Sequence, residues 1–205
     1  MKLNTLIISV CATAVLASGC KKDDDTPSSS GGTGGGGGGS FTLASAPGTQ
    51  FTLDGAVQNW TAGTTWEAVV GSHGTGTWSY SSGFYNSATN VGLSVELGFV
   101  NTGGGPPGAT LFNTIFVTGT RNYVTSVNTT FGAEVRYYDG LGNVWSTSNG
   151  DQTGSAFSVT LVEAVAGAFD VDKTVVTFNC KLYPDGGGTP KVVTSGSARL
   201  NYENI

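Results

Sequence analysis

Histidine occurs once in this chain, at His73, so any Ser–His or Cys–His nucleophilic pair would have to use it. It lies in Gly71-Ser72-His73-Gly74, which reads as a hairpin tip, where an imidazole is an ordinary solvated turn residue. Cys180 alternates with Val176, Phe178 and Leu182 along one strand face. An inward thiol of that kind is a small hydrophobe, not a nucleophile. Paired carboxylates can cleave glycosides when they stand roughly 5–9.5 Å apart. Glu67, Glu96 and Glu134 fall on polar strand faces, and Asp139, Asp151 and Asp185 fall in turns. No spacing brings two of them together, so they read as solvent-facing charges that discourage edge pairing. Asp139-Gly140-Leu141-Gly142-Asn143 lacks the spaced acidic ligands and distal Glu of a calcium loop, and a hairpin turn accounts for it better. The Gly34–Gly39 run lacks the Lys-Ser/Thr of a phosphate loop. No catalytic residue, metal ligand or cofactor is therefore expected.

The aromatics are the most informative remainder. Trp60, Trp66, Trp78 and Trp145 join Tyr80, Phe84, Tyr85, Tyr137 and Tyr138. Exposed rings on a sheet face hold sugars, while core packing is the ordinary role of any one of them. Trp66, Trp78, Tyr80 and Tyr138 are the candidate ligand-binding residues. Tyr137 and Tyr138 are adjacent, so a regular strand turns one of them outward.

These residues need a scaffold, and the composition from Phe41 onward describes one. Gly and Asn/Asp supply turns, while Val, Thr and the aromatics suit pleated, half-buried surfaces. Val91 to Phe99 is apolar at every second place, opposite Gly92, Ser94, Glu96 and Gly98. That period belongs to a half-buried strand. Asp54-Gly55 between Gln50–Leu53 and Ala56–Trp60 is a hairpin signal. Further strands are expected over 65–70, 75–80, 110–117, 133–138, 143–147, 155–162, 174–183 and 195–202, with Ala198, Leu200 and Tyr202 inward. The expected fold is all-β, an antiparallel β-sandwich of about 8–10 strands over residues 41–205. Three of the nine Lys/Arg and three of the fourteen Asp/Glu precede residue 26, which leaves the domain six against eleven. With no basic cluster, a nucleic-acid partner is excluded.

Before the domain lies a different kind of sequence. Lys2, the apolar run Leu3–Leu16 and a small-residue end at Ala17-Ser18-Gly19 make a secretory signal over 1–19. The run is too short for the roughly twenty residues of a membrane-spanning helix. Leu16 to Cys20 resembles a bacterial lipobox, with Leu16 four residues before the Cys instead of three. The resemblance implies that Cys20 is acylated and holds the chain in outer-membrane lipid. Lys21-Lys22-Asp23-Asp24-Asp25 resembles the export signal of Bacteroidetes surface lipoproteins. Residues 26–40 are Thr, Pro, Ser and Gly alone, so 20–40 is a tether spanning roughly 25 Å.

One broader resemblance follows. Gly142-Asn143-Val144-Trp145-Ser146-Thr147, Gln152-Thr153-Gly154-Ser155-Ala156-Phe157 and Phe178-Asn179-Cys180-Lys181-Leu182-Tyr183 look like a group of Bacteroidetes surface lipoproteins with a β-sandwich domain of unknown function. The likeness covers about the C-terminal half and carries over no catalytic residue. The reading is a non-catalytic, lipid-anchored binding or accessory module at the cell surface, with periplasm-facing attachment as the other location. A glycan or an outer-membrane protein is the expected partner. The alternatives are a carbohydrate-active hydrolase and a structural envelope or adhesion component.

Overall fold

The computed structural model describes residues 47–63, 65–74, 77–103, 107–124, 131–164 and 170–203. Cys20, Lys21 to Asp25 and the tether lie outside them. Among these residues eleven strands and one short α-helix follow in the order β1 (Gly48–Leu53), β2 (Ala56–Thr61), β3 (Glu67–Gly74), β4 (Thr77–Asn86), β5 (Val91–Asn101), α1 (Ala109–Ile115), β6 (Gly119–Arg121), β7 (Gly132–Asp139), β8 (Val144–Ser146), β9 (Ala156–Ala164), β10 (Asp170–Pro184) and β11 (Lys191–Glu203), with a single 3-10 turn over Thr147–Asn149 after β8. The antiparallel all-β expectation holds. The layers, however, are joined in one curled sheet of order β2-β1-β11-β10-β8-β7-β5-β4-β3.

β10 is where the sheet forks. Its end, Tyr183 and Pro184, pairs with β8, while Val171 to Asn179 pair with β9, which carries β6 on its far side. Gln152 fills the gap between β8 and β9. Its side-chain amide donates to the Lys181 carbonyl at 2.7 Å and accepts from the Lys181 N–H at 3.1 Å, as a neighbouring strand would. Asn179 closes the other side by accepting from the Ala156 N–H.

The core lies where β11 faces β3 and β4. Leu93, Val95 and Leu97 of β5, Val176, Phe178, Cys180 and Leu182 of β10, and Ala198, Leu200 and Tyr202 of β11 are all buried, as the alternation required. Each fully enclosed Leu, Phe or Tyr is worth about 1.5–3 kcal/mol of transfer free energy. Period two breaks once in β5. Phe99 takes a left-handed φ of 58°, the β4–β5 register slips beside it, and Val100 enters the core in its place.

Two local expectations are corrected. Thr110 to Val117 is not a strand: α1 runs through it from Ala109 to Ile115. Leu111, Phe112, Ile115 and Phe116 recur at helical spacing, so one face meets the core. Phe112 and Phe116 reach the Tyr80 ring at centroid distances of 5.2 and 5.5 Å, and Phe116 reaches Tyr202 at 5.0 Å. Gly71 to Gly74 is not a turn either. It continues β3, with His73 opposite Ser79 in the ladder.

Candidate functional site

The outer face of β4, β5, β7 and β8 gathers most of the domain's chemistry. Odd-numbered residues of β4, even-numbered residues of β5 as far as Gly98, and even-numbered residues of β7 and β8 share this face, because Ser81↔Glu96, Glu96↔Glu134 and Arg136↔Ser146 are paired across the ladders. Glu96 and Glu134 are therefore directly opposed, where Cβ atoms stand about 5 Å apart. Both are buried, at 6% and 3% exposure. This corrects their reading as solvent-facing charges. The reason is Arg136, two places along β7 on the same face, whose side chain folds back over both.

Arg136 Nε donates to Glu134 Oε1 at 2.9 Å and Nη2 to Oε2 at 3.0 Å, while Nη2 stands 3.4 Å from Glu96 Oε2. Ser146 and Ser148 donate to Glu134 Oε1 at 2.5 and 2.8 Å. Ser79 donates to Glu96 Oε1. Burial pushes the Glu134 carboxyl up, but hydrogen bonds and charge from Arg136, then Ser146 and Ser148, hold it below the usual carboxylate range. Burial acts to lower Arg136, and the same two glutamates outweigh it and hold the guanidinium protonated. Acid catalysis needs a carboxyl kept protonated. Here Glu134 is held ionised under a fixed cation, which is the opposite arrangement.

A second feature lies at the end of this face. Gly92 pairs with Tyr85 on one side and Tyr138 on the other. A Cβ at Gly92 would stand 3.0 Å from Tyr85 Cδ2 and 3.4 Å from Tyr138 Cδ2, so only a bare glycine lets the two rings lean in over this position. The neighbouring tips close the end. A Cβ on Gly140, which has φ +79°, would lie 2.7 Å from the Thr89 carbonyl oxygen, so the β4–β5 and β7–β8 turns touch. The result is a depression of about 240 Å3 lined by Tyr85, Tyr138, Asn90, Asp139, Asn143 and the turn glycines.

Asp139 organises the β7–β8 tip. Its Oδ1 accepts from the Leu141 and Asn143 N–H groups at 2.9 and 3.2 Å, and its Oδ2 from Asn143 Nδ2 at 2.8 Å and Trp145 Nε1 at 3.2 Å. Slight burial opposes ionisation, but the four donors dominate and hold the carboxyl down at about 2. The hairpin reading of this segment stands, since the carboxylate is saturated by the chain itself. Because the folded value is depressed, the stabilisation is complete above the unfolded value of about 3.9 and is lost as pH falls through about 2. Wild type should therefore resist denaturant better than Asp139→Asn at pH 6. That difference should shrink between pH 4 and 2, and an unchanged difference at pH 2 would mean the carboxylate charge is not responsible.

The sequence candidates separate cleanly. Tyr138 lies on the outer face beside Gly92. Tyr80 is corrected: it is wholly enclosed against α1 and has no surface to offer a ligand. Burial raises its phenol to about 12. Trp66 is half-buried and stacked on Trp60 at 4.0 Å, with planes 12° apart. Trp78 is half-buried and packs against the core. The four are not brought together. Tyr85, Asn90 and Asn143 were missed as site residues. The hairpin signals around them were visible, but the contact between the two tips was not. Cys180 is buried, and burial raises its thiol to about 12, in keeping with a core role. Among the described residues no cluster of three metal-ligating side chains occurs, and no helix is long and apolar enough to cross a membrane.

Fold and face together define a mostly antiparallel β domain with a sealed ionic cluster and one open aromatic depression. No protein-family model, curated protein or solved structure matches the chain.

Proposed function

We propose that this chain is a lipid-anchored, surface-exposed binding module of a bacterial outer membrane, and that its domain, a β-sandwich over 41–205, performs no catalysis. The observation that carries the binding half is the contrast on one face. The opposed carboxylates Glu96 and Glu134 are sealed beneath Arg136, whereas the depression between Tyr85 and Tyr138 is open. A hydrolase would need the reverse, an accessible carboxyl pair with one member protonated. The exposed large apolar side chains among the described residues, Val57, Val117, Leu141 and Val192, fall on separate elements. That favours ligand binding over assembly through an apolar patch.

The membrane half rests on Cys20 and Lys21 to Asp25, and on the resemblance to Bacteroidetes surface lipoproteins. One acyl chain binds only marginally, but the two or three of a bacterial lipoprotein hold stably. Radiolabelled palmitate should enter the wild-type chain and not Cys20→Ser. Protease added to intact cells should digest the wild type and spare a variant with Lys21 to Asp25 all alanine. Protection of both would place the module on the periplasmic side.

A further inference from the structure

We infer that the depression between the β4–β5 and β7–β8 tips is a subsite for one neutral pyranose ring, at the end of a glycan. The inference rests on the binding-module reading above and adds the site and the ligand chemistry. Three features of the lining select this ligand.

The first is the balance of donors and acceptors. Asn90 Oδ1 already accepts the Tyr85 hydroxyl at 2.6 Å, which leaves Asn90 Nδ2 to donate. Asn143 Nδ2 already donates to Asp139, which leaves Asn143 Oδ1 to accept. The Tyr138 hydroxyl both gives and takes. A donor, an acceptor and a two-way hydroxyl around a small hollow match a polyol, in which every hydroxyl does both.

The second is charge. No Lys or Arg lines the depression, and Asp139 stays ionised down to about pH 2, so an anionic ligand meets a carboxylate and no cation within the lining. Each Asp139 oxygen is already taken by two donors, so the carboxylate has no lone pair left for a metal cation, and the neutral oxygens of Asn143 and Tyr138 fall short of the six or more that a hard cation takes. A neutral ligand is what remains.

The third is size and surface. At about 240 Å3 the hollow is below the roughly 300–1,000 Å3 of drug-sized sites, which suits a single ring. Gly92 lets the Tyr85 and Tyr138 rings lean in over it, and the two rings give the depression an apolar wall for sugar C–H groups.

Saturation-transfer NMR on the full chain in sugar-free detergent micelles tests this, with methyl β-glucoside, methyl β-galactoside, methyl α-mannoside and methyl β-glucuronide as probes. At least one neutral glycoside should receive saturation with a Kd of about 1–10 mM, and the glucuronide should bind at least about tenfold more weakly. Tyr138→Ala should abolish transfer. Tyr138→Phe, which keeps the ring and the packing, should weaken binding about threefold to tenfold, as should Asn90→Ala. Transfer to the glucuronide equal to that of the neutral probes would overturn the inference. So would no transfer from any neutral glycoside at about 50 mM, well above the expected Kd. Neutral binding untouched by all three variants would overturn the location while leaving the binding-module reading in place. That broader reading fails separately, if cells bearing the chain retain no more polymeric glycan or outer-membrane protein than cells lacking it.

Discussion

Arg136→Met should destabilise the domain by about 2–3 kcal/mol at pH 7, measured by denaturant unfolding. Breaking a buried ion pair by removing one partner costs about 3–5 kcal/mol, because the other charge is left buried. The lower figure is expected because the Arg136 side chain is 40% exposed, so water can partly replace it. Methionine retains most of the stem that covers the two glutamates, which isolates the charge from the packing. The pH dependence should also reverse. In the wild type Glu134 is held below its ordinary value, so its contribution is complete above the unfolded value of about 4.3 and is lost as pH falls through the folded one. In the variant, burial and the opposed Glu96 act to raise Glu134. Stability is then highest once Glu134 is protonated and is lost as pH rises. The variant should approach wild type near pH 4, and adding Glu96→Gln and Glu134→Gln should recover most of the loss at pH 7. A loss below about 0.5 kcal/mol, the size of an ordinary surface substitution, would mean the cluster is not an electrostatic unit.

Phe112→Ala should cost about 3–5 kcal/mol, the range for emptying a buried aromatic site. Phe112 is 2% exposed, edge-on to Tyr80 at 5.2 Å and tilted against Phe116 at 4.8 Å. α1 has seven residues and no side-chain cap at its N-cap, Gly108, so it is too short to be stable alone. Its stability comes from this contact, and the core in turn loses its aromatic plug when the ring is removed. Against a total of about 5–15 kcal/mol, the loss should give a large fall in denaturation midpoint. Asn113→Ala on the exposed side of α1 should shift stability by no more than about 0.5 kcal/mol. Equal losses for the two variants would show that α1 is not part of the core.

The contrast between α1 and β5 shows why some elements could be read ahead of the structure. In β5 the alternation runs over nine residues, longer than any helical coincidence, and the hairpin at Asp54-Gly55 is specified by two adjacent residues with positive φ. In α1 the four apolar residues span only six positions, too short a stretch to establish a period, and β-branched Thr110, Thr114 and Ile115 lean toward a strand. Packing on Tyr80 and Tyr202 decided it, and those partners are distant in sequence. Gly71 to Gly74 has turn composition but lies within a ladder whose hydrogen bonds to β4 outweigh local preference.

The candidate site was less legible than the fold, for the same reason. Tyr138 could be picked out because its neighbour Tyr137 faces the core. Tyr80 was indistinguishable from Tyr85 by type, yet they stand on opposite faces of β4, with Tyr80 enclosed and Tyr85 beside Gly92. Glu96 and Glu134 were both placed on polar faces, and that parity was right. Polar was taken to mean solvated, and an arginine two residues away supplied the cover instead. From its sequence alone, then, this protein was determined as an antiparallel all-β domain with known inward faces, since period two and turn chemistry act between neighbouring residues. The tertiary structure decided which strands became neighbours, and with them the opposed glutamates under Arg136, the seat of α1 and the meeting of Tyr85 and Tyr138 across Gly92. The glutamate pair and the tyrosine pair depend on cross-strand register and α1 on packing against distant rings, and both are set between segments far apart in sequence.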